Sequence, residues 1–206
     1  MLETIILIIL FTCIIIYKYK YKSNAIAVEA FNKQPYLVND LSDSQDAANM
    51  LARIMLVLEK LVNKICSDYD KNIDARTNDD NTYIEYVRTI KKRLPNVRIS
   101  ENPTDSQFTS YSINKGEELV FCIRDRKKYK IHDINELLYV AIHEIAHIGC
   151  PEVGHTQLFQ DINAYLLKKA ICYNLYTYID YSNENKNYCG MILTNNLVNS
   201  SDINCT

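Results

Sequence analysis

Tryptophan is absent from this chain of 206 residues, and glycine, proline and histidine occur only four times each. Heavy use of Asn, Lys, Ile and Tyr accompanies that scarcity, a pattern of AT-rich coding that carries no chemistry. No CxxC pair occurs among the seven cysteines, at positions 13, 66, 122, 150, 172, 189 and 205, so a cysteine-built zinc ribbon has no support. Their odd number and scatter point to reduced thiols rather than a secreted disulfide framework, and with them to a domain facing the cytosol. A surplus of either charge is missing too: the formal net charge is −2, which implies no bulk attraction to nucleic acid or anionic lipid. The basic runs RTIKKR (88–93) and RDRKKYK (124–130) lack interleaved aromatics and read as solvated faces, so nucleic acid is not an expected partner.

An apolar run of full membrane-spanning length is missing as well. The longest, Ile5–Ile16, reaches fourteen residues when Thr4 and Tyr17 are included. As a helix that is roughly 21 Å, against about 30 Å of bilayer hydrocarbon. Its flanks nevertheless suit an uncleaved anchor. Glu3 precedes the run with no basic residue beside it, the reverse of a signal peptide's start. Lys18, Lys20 and Lys22 follow, interleaved with Tyr17, Tyr19 and Tyr21, and these side chains extend the effective span by snorkelling and by seating rings at the interface. The positive-inside rule then places the remainder in the cytosol, single-pass, on a viral or host internal membrane. The expected organisation is an anchor over 1–22 that meets the bilayer through 4–17, a tether over 23–43, and one folded domain over 44–206.

Within that domain, Ala47, Ala48, Leu51, Ile54, Met55, Leu58, Leu61, Val62 and Ile65 recur at helical spacing behind Asp43 or Ser44 as N-cap. A second helix is expected from about Asn81 to Arg93, stopped by Pro95. NVRIS reads as a strand, and FTSYSINKGEELVFCIRDR as two strands joined at NKG. Leu119, Phe121 and Ile123 on one face, with Val120 and Cys122 on the other, suggest coverage on both sides. Asp133 caps a third helix ending at Gly149, and a fourth runs from about Thr156 to Tyr178. At most one short strand, Met191–Thr194, follows. Two helices, a small sheet and two more helices make an α+β fold, without repeats or low-complexity blocks.

Three of the four histidines fall inside thirteen residues, HEIAHIGCPEVGH. His143 and His147, four apart on a helix, project one turn apart on one face, where neutral imidazoles reach one zinc ion at about 2.0–2.1 Å. Glu144 sits beside them, placed to take a proton from a zinc-bound water whose pKa the metal lowers toward 7. A catalytic zinc needs a third protein ligand and an open position. His155, returned by the turn CPEVG, is preferred over Glu152, Cys150 and Asp161 because neutral imidazole leaves the site more Lewis acidic. Two histidines and a glutamate amid Ile142, Ile145, Ala146 and Ile148 would be costly to bury without a partner, and a metal satisfies all three. His132, in a basic turn, reads as surface.

At these residues the chain resembles the zincin metallopeptidases. HEIAH followed by GHTQLF is most similar to the SprT-like and WLM families, where HExxH precedes Gly-His and then an aromatic residue. TSYSINKGEELVFCIR is similar to the strand pair ahead of the active helix in WLM-like proteins, including some from large DNA viruses. The likeness covers about 95–190. It implies a small zincin: a short antiparallel sheet whose edge receives substrate, an HExxH helix beneath it, one Zn2+ held by His143, His147 and His155, and Glu144 as base. The eight-residue step from His147 to His155 departs from both families' spacing. Their association with DNA–protein crosslinks is not carried over, because a membrane tether is an odd address for it.

The expected function is a membrane-anchored zinc metallopeptidase acting on a protein or peptide substrate, with the strand Glu118–Ile123 pairing to it and Tyr181 or Tyr188 steadying the oxyanion. The alternative is a non-catalytic, zinc-stabilised adaptor tethered to a membrane, which has no use for Glu144.

Overall fold

The structure is a computed structural model that describes residues 25–194, 196–203 and 205. The expected anchor over 4–17 lies outside the described residues. Among those described, no helix is long and apolar enough to cross a membrane.

The stretch expected as a tether instead begins the fold. Strands β1 (Ala25–Glu29) and β2 (Pro35–Asn39) form an antiparallel hairpin with Ala25 opposite Asn39 and Glu29 opposite Pro35. AIAVE and PYLVN are short, apolar and β-branched enough to pair, and Pro35 is tolerated because it opens its strand. Helix α1 then runs over Ser44–Lys71 and buries the predicted stripe, from Ala47 and Leu51 to Leu61 and Ile65. Helix α2 (Asn78–Arg93) starts three residues earlier than expected, since Thr77 and Asp80 close a reciprocal capping box. Asp80 also accepts from the Tyr165 hydroxyl and the Lys169 ammonium, both at 2.7 Å, tying this cap to a later helix.

Strands β3 (Arg98–Glu101), β4 (Tyr111–Ile113) and β5 (Glu118–Phe121) complete a five-stranded sheet in the order β1-β2-β3-β5-β4. The sheet is mixed, which corrects the antiparallel expectation: β2–β3 and β3–β5 are parallel pairs. The helical crossover between β2 and β3 allows the first of these, because parallel neighbours need a long connection. β5 is an interior strand, and Leu119 through Ile123 are all buried, as their two-sided apolarity required.

An ionic knot fastens the sheet to α1. Arg124 Nε donates to Glu101 Oε1 at 2.6 Å, and its Nη1 reaches Asp43 at the N-cap of α1. The other Glu101 oxygen accepts from the Asn39 amide at 2.8 Å. Asp43 is thus occupied by arginine rather than by its own helix, and makes no side-chain cap bond.

Helix α3 (Ile134–Gly149) and helix α4 (Gln157–Cys172) follow, capped by Asp133 and Thr156 as their sequences indicate. α4 stops six residues short of the expected Tyr178, and Asn174 turns the chain at φ 54°. Gly149 is the last helical residue of α3, and close packing explains it: a Cβ there would meet Ile90 Cδ1 at 2.9 Å and the Tyr86 carbonyl at 3.0 Å. The tail forms a hairpin where one strand was expected, β6 (Lys186–Tyr188) and β7 (Met191–Leu193). Its turn, Cys189-Gly190, has positive φ at both positions, 52° and 85°, the geometry that matches strand twist in two-residue hairpins.

Two disulfides join this tail to the body, Cys122–Cys189 and Cys172–Cys205. They correct the reading of scattered reduced thiols: the partners are 67 and 33 residues apart, and only the completed topology brings them together. Cys66 and Cys150 remain thiols, both buried.

Candidate metal centre

The α3 sequence INELLYVAIHEIAHIG is apolar on nearly all sides, and the helix is correspondingly sunk in the core, with Ile142, Ile145 and Ile148 fully buried. His143, Glu144 and His147 emerge where α3 passes beneath the edge of the sheet, lining one wall of a cleft of about 780 Å³. The loop after Gly149 carries the chain outward and back, and Gly154 at φ +84° turns it so that His155 faces the helix. The ring nitrogens of His143, His147 and His155 all lie within 4.8 Å of one another. His143 Nε2 and His155 Nε2 stand 3.0 Å apart.

Of the four residues weighed as the third member, His155 is the one that joins the pair. Glu152 lines the cleft outside the cluster, Cys150 is buried at the end of α3, and Asp161 accepts from Gln157 on the α4 surface. No other grouping of metal-ligating side chains appears among the described residues.

Phe159 builds the floor. Its ring stacks on His147 at 4.0 Å and meets His143 and His155 edge-on at 4.9 and 5.0 Å. Thr156, by capping α4, sets the helical phase that points Phe159 there. One turn on, the Asn163 side-chain amide lies 3.2 Å from His143 Nδ1. That contact is made by Nδ2; with the amide rotated half a turn, Oδ1 would accept from Nδ1–H and leave the Nε2 lone pair to the cluster. Asn163 went unnoticed in the sequence, although a polar residue amid the Phe159, Ile162 and Leu166 stripe was the available signal.

The electrostatics suit metal binding. Burial, reinforced by His147 and His155, lowers His143 to about 4, and burial with His155 and Lys115 lowers His147 to about 4. Both rings are therefore neutral donors near pH 7. Burial alone pushes the Glu144 carboxyl up to about 7, which poises it to exchange a proton at neutral pH. Tetrahedral zinc at about 2.0–2.1 Å separates ligand nitrogens by roughly 3.3 Å, so the His143–His155 spacing and the donor chemistry fit such an ion.

The cleft's other walls come from backbone edges. Thr109 through Ser112 line it consecutively on one side, and Met191 through Thr194 on the other. Strand side chains alternate between faces, so unbroken runs mean that β4 and β7 present their edges. Neither strand has a second partner among the described residues. The strand exposed beside the metal ligands is therefore β4, and the expectation for Glu118–Ile123 is corrected, since β5 is closed in by β3 and β4.

The two tyrosines separate cleanly. Tyr188 lines the cleft, with its hydroxyl 2.6 Å from Ser110 Oγ, and burial raises its pKa so that it stays protonated. Tyr181 is fully buried against the Tyr139 ring at 4.7 Å and does not line the cleft. His132 is buried rather than surface, packed between the Tyr188 ring at 5.1 Å and Glu136, with Cys189 Sγ 3.6 Å from its Nε2.

No family model matches the chain. The Wss1 mutant of Saccharomyces cerevisiae superposes at a TM-score of 0.35 with 13% identity, over 51% of this chain and 90% of that one, a likeness too slight to carry fold or function across. Protein 136R of Invertebrate iridescent virus 6 is 38% identical over 98 residues, 47% of this chain and 51% of that protein. The uncharacterized protein R325 of Acanthamoeba polyphaga mimivirus is 34% identical over 180 residues, 87% of each chain. With that identity sustained along nearly the whole length, the chain belongs to the viral protein family that includes R325.

Proposed function

We propose that this protein is a zinc-dependent peptidase of the zincin kind. The observation that carries the proposal is the convergence of three imidazoles beside a buried carboxylate, at the base of a cleft bounded by two unpaired strand edges. His143, His147 and His155 would hold one Zn2+, which when bound supplies Lewis acidity to water and to a scissile carbonyl. Glu144 takes the proton from the attacking water and delivers it to the departing amine, a role its buried, raised carboxyl suits. Asn163 and Phe159 hold the ligand rings in place. Tyr188, protonated, anchored on Ser110 and lining the same cleft, would donate to the developing oxyanion.

An extended polypeptide suits the cleft, because β4 and β7 each offer unpaired backbone groups to it. Apolar side chains suit its walls, which Tyr139, Val140, Met191 and Ile192 line. Glu144 argues against a purely structural zinc module, which would have no reason to bury a carboxylate there.

Attachment to a membrane through residues 4–17 belongs to the same proposal. The lysines at 18, 20 and 22 support a cytosolic domain, whereas two disulfides support oxidising surroundings. The test of activity is digestion of an unfolded protein such as reduced casein by the purified chain. Cleavage should stop with a zinc chelator and return on adding zinc; cleavage indifferent to chelation would overturn the reading.

A further inference from the structure

The loop between the second and third histidines has little of its own to hold it. Residues 151–155 are exposed, Val153 at 85%, and a Cβ on Gly154 would meet nothing within 4 Å. Yet the site requires His155 to return to within hydrogen-bond distance of His143. The end of α3 also leaves carbonyls with no partner inside the helix. Two cations from outside meet carbonyls here and in the loop just beyond. Arg93 Nη1 donates to the Ile148 carbonyl at 3.0 Å. Lys115 places its ammonium among three successive carbonyls, Cys150 and Glu152 at 3.5 Å each and Pro151 closer still.

We propose that Lys115 is the positioning residue for the third metal ligand: its ammonium gathers the Cys150, Pro151 and Glu152 carbonyls and so fixes the loop on which His155 arrives. The inference rests on the metal-site reading above. The ammonium suits the task, with three rotatable donors for three acceptors, and its positive charge is favoured at a helix C-terminus. Its placement is built into the hairpin. Asn114, Lys115 and Gly116 all have positive φ, 46°, 53° and 101°, and a Cβ on Gly116 would meet Ile148 Cγ1 at 2.8 Å. The turn therefore sits directly on the last turn of α3, with Lys115 reaching over the loop. At the loop's far end, the Gln160 amide donates to the His155 carbonyl at 3.1 Å, a second tether that leaves the approach from Cys150 to Glu152 to Lys115. Because Lys115 belongs to the β4–β5 hairpin, the edge strand of the cleft and the third ligand share one strut.

The test is zinc affinity by chelator competition on the full chain, alongside the melting temperature of the metal-free protein. Lys115→Met should weaken zinc binding about 10–100-fold, as loss of outer-shell partners does, while the metal-free protein stays folded and melts at most about 2–4 °C lower. Lys115→Arg, which keeps charge and donors, should recover most of the affinity. Cobalt substituted for zinc should show an altered visible spectrum in Lys115→Met. Wild-type affinity in Lys115→Met overturns the inference while leaving the metal site intact, and so does a loss that Lys115→Arg fails to reverse. A wild-type chain that binds no zinc overturns both.

Discussion

Glu144→Gln is expected to bind one zinc per chain, to melt no lower than the wild type, and to lose peptide hydrolysis by about 10²–10⁴-fold or more. The substitution keeps the shape of the side chain and removes only its ability to accept a proton. Glu144 is 5% exposed in a helix surrounded by Ile142, Ile145 and the core, so a neutral amide meets a smaller desolvation penalty than the carboxylate does. Folding should be preserved or improved while chemistry is lost, and that opposition distinguishes a proton-transfer role from a structural one. The measurement is turnover of the cleaved substrate with metal content and melting temperature on the same preparation. Turnover within a few-fold of wild type would show that the carboxylate is not the base.

Breaking the Cys122–Cys189 bond should be the largest stability change available to a conservative substitution. In the chain-entropy model, closing a loop of 67 residues restrains the unfolded state by about 4 kcal/mol. Cys189→Ser should therefore lower the free energy of unfolding by about 2–4 kcal/mol, measured by urea denaturation under non-reducing conditions. The consequence reaches the cleft, because Cys189 sits in the turn of the β6–β7 hairpin, between Tyr188 and the β7 edge. A two-stranded hairpin is barely stable alone, and the bond to the end of β5 holds this one against the body. Both KM and kcat for peptide should suffer, since the β7 wall is lost and Tyr188 moves with the same hairpin, while the histidine cluster and its zinc affinity are kept. Cys172–Cys205 closes a shorter loop of 33 residues at an exposed end of the tail and should matter less to the cleft. Equal stability of Cys189→Ser and wild type would mean that the bond does not form in the isolated protein.

What the sequence made legible was local. His143, Glu144 and His147 are positioned by one helical period, and Thr156 and Asp133 cap the helices on either side of the turn that returns His155. The β4–β5 pair announced itself through NKG, whose three residues all take positive φ. What stayed hidden depended on distant partners. The β1–β2 hairpin looked like a tether because its strands are only five residues long and find their place beside β3, some sixty residues further on. The cysteines looked unpaired because nothing near Cys122 or Cys172 foretells a tail that folds back over the cleft. His132 sits among lysines in the sequence, yet the same returning tail covers it with Tyr188 and Cys189. The mistaken substrate strand has the same origin: β5 is apolar enough to be central, and only the sheet order reveals that β4 lies outside it.

The most direct measurement of the central claim is the metal content of the purified chain by elemental analysis, before and after zinc loading and dialysis. One zinc per chain is predicted for the wild type, with stoichiometric binding lost in His143→Ala and in His147→Ala, and binding weakened in His155→Ala. A folded chain that holds no transition metal, or one that keeps its zinc when all three imidazoles are removed, would contradict it.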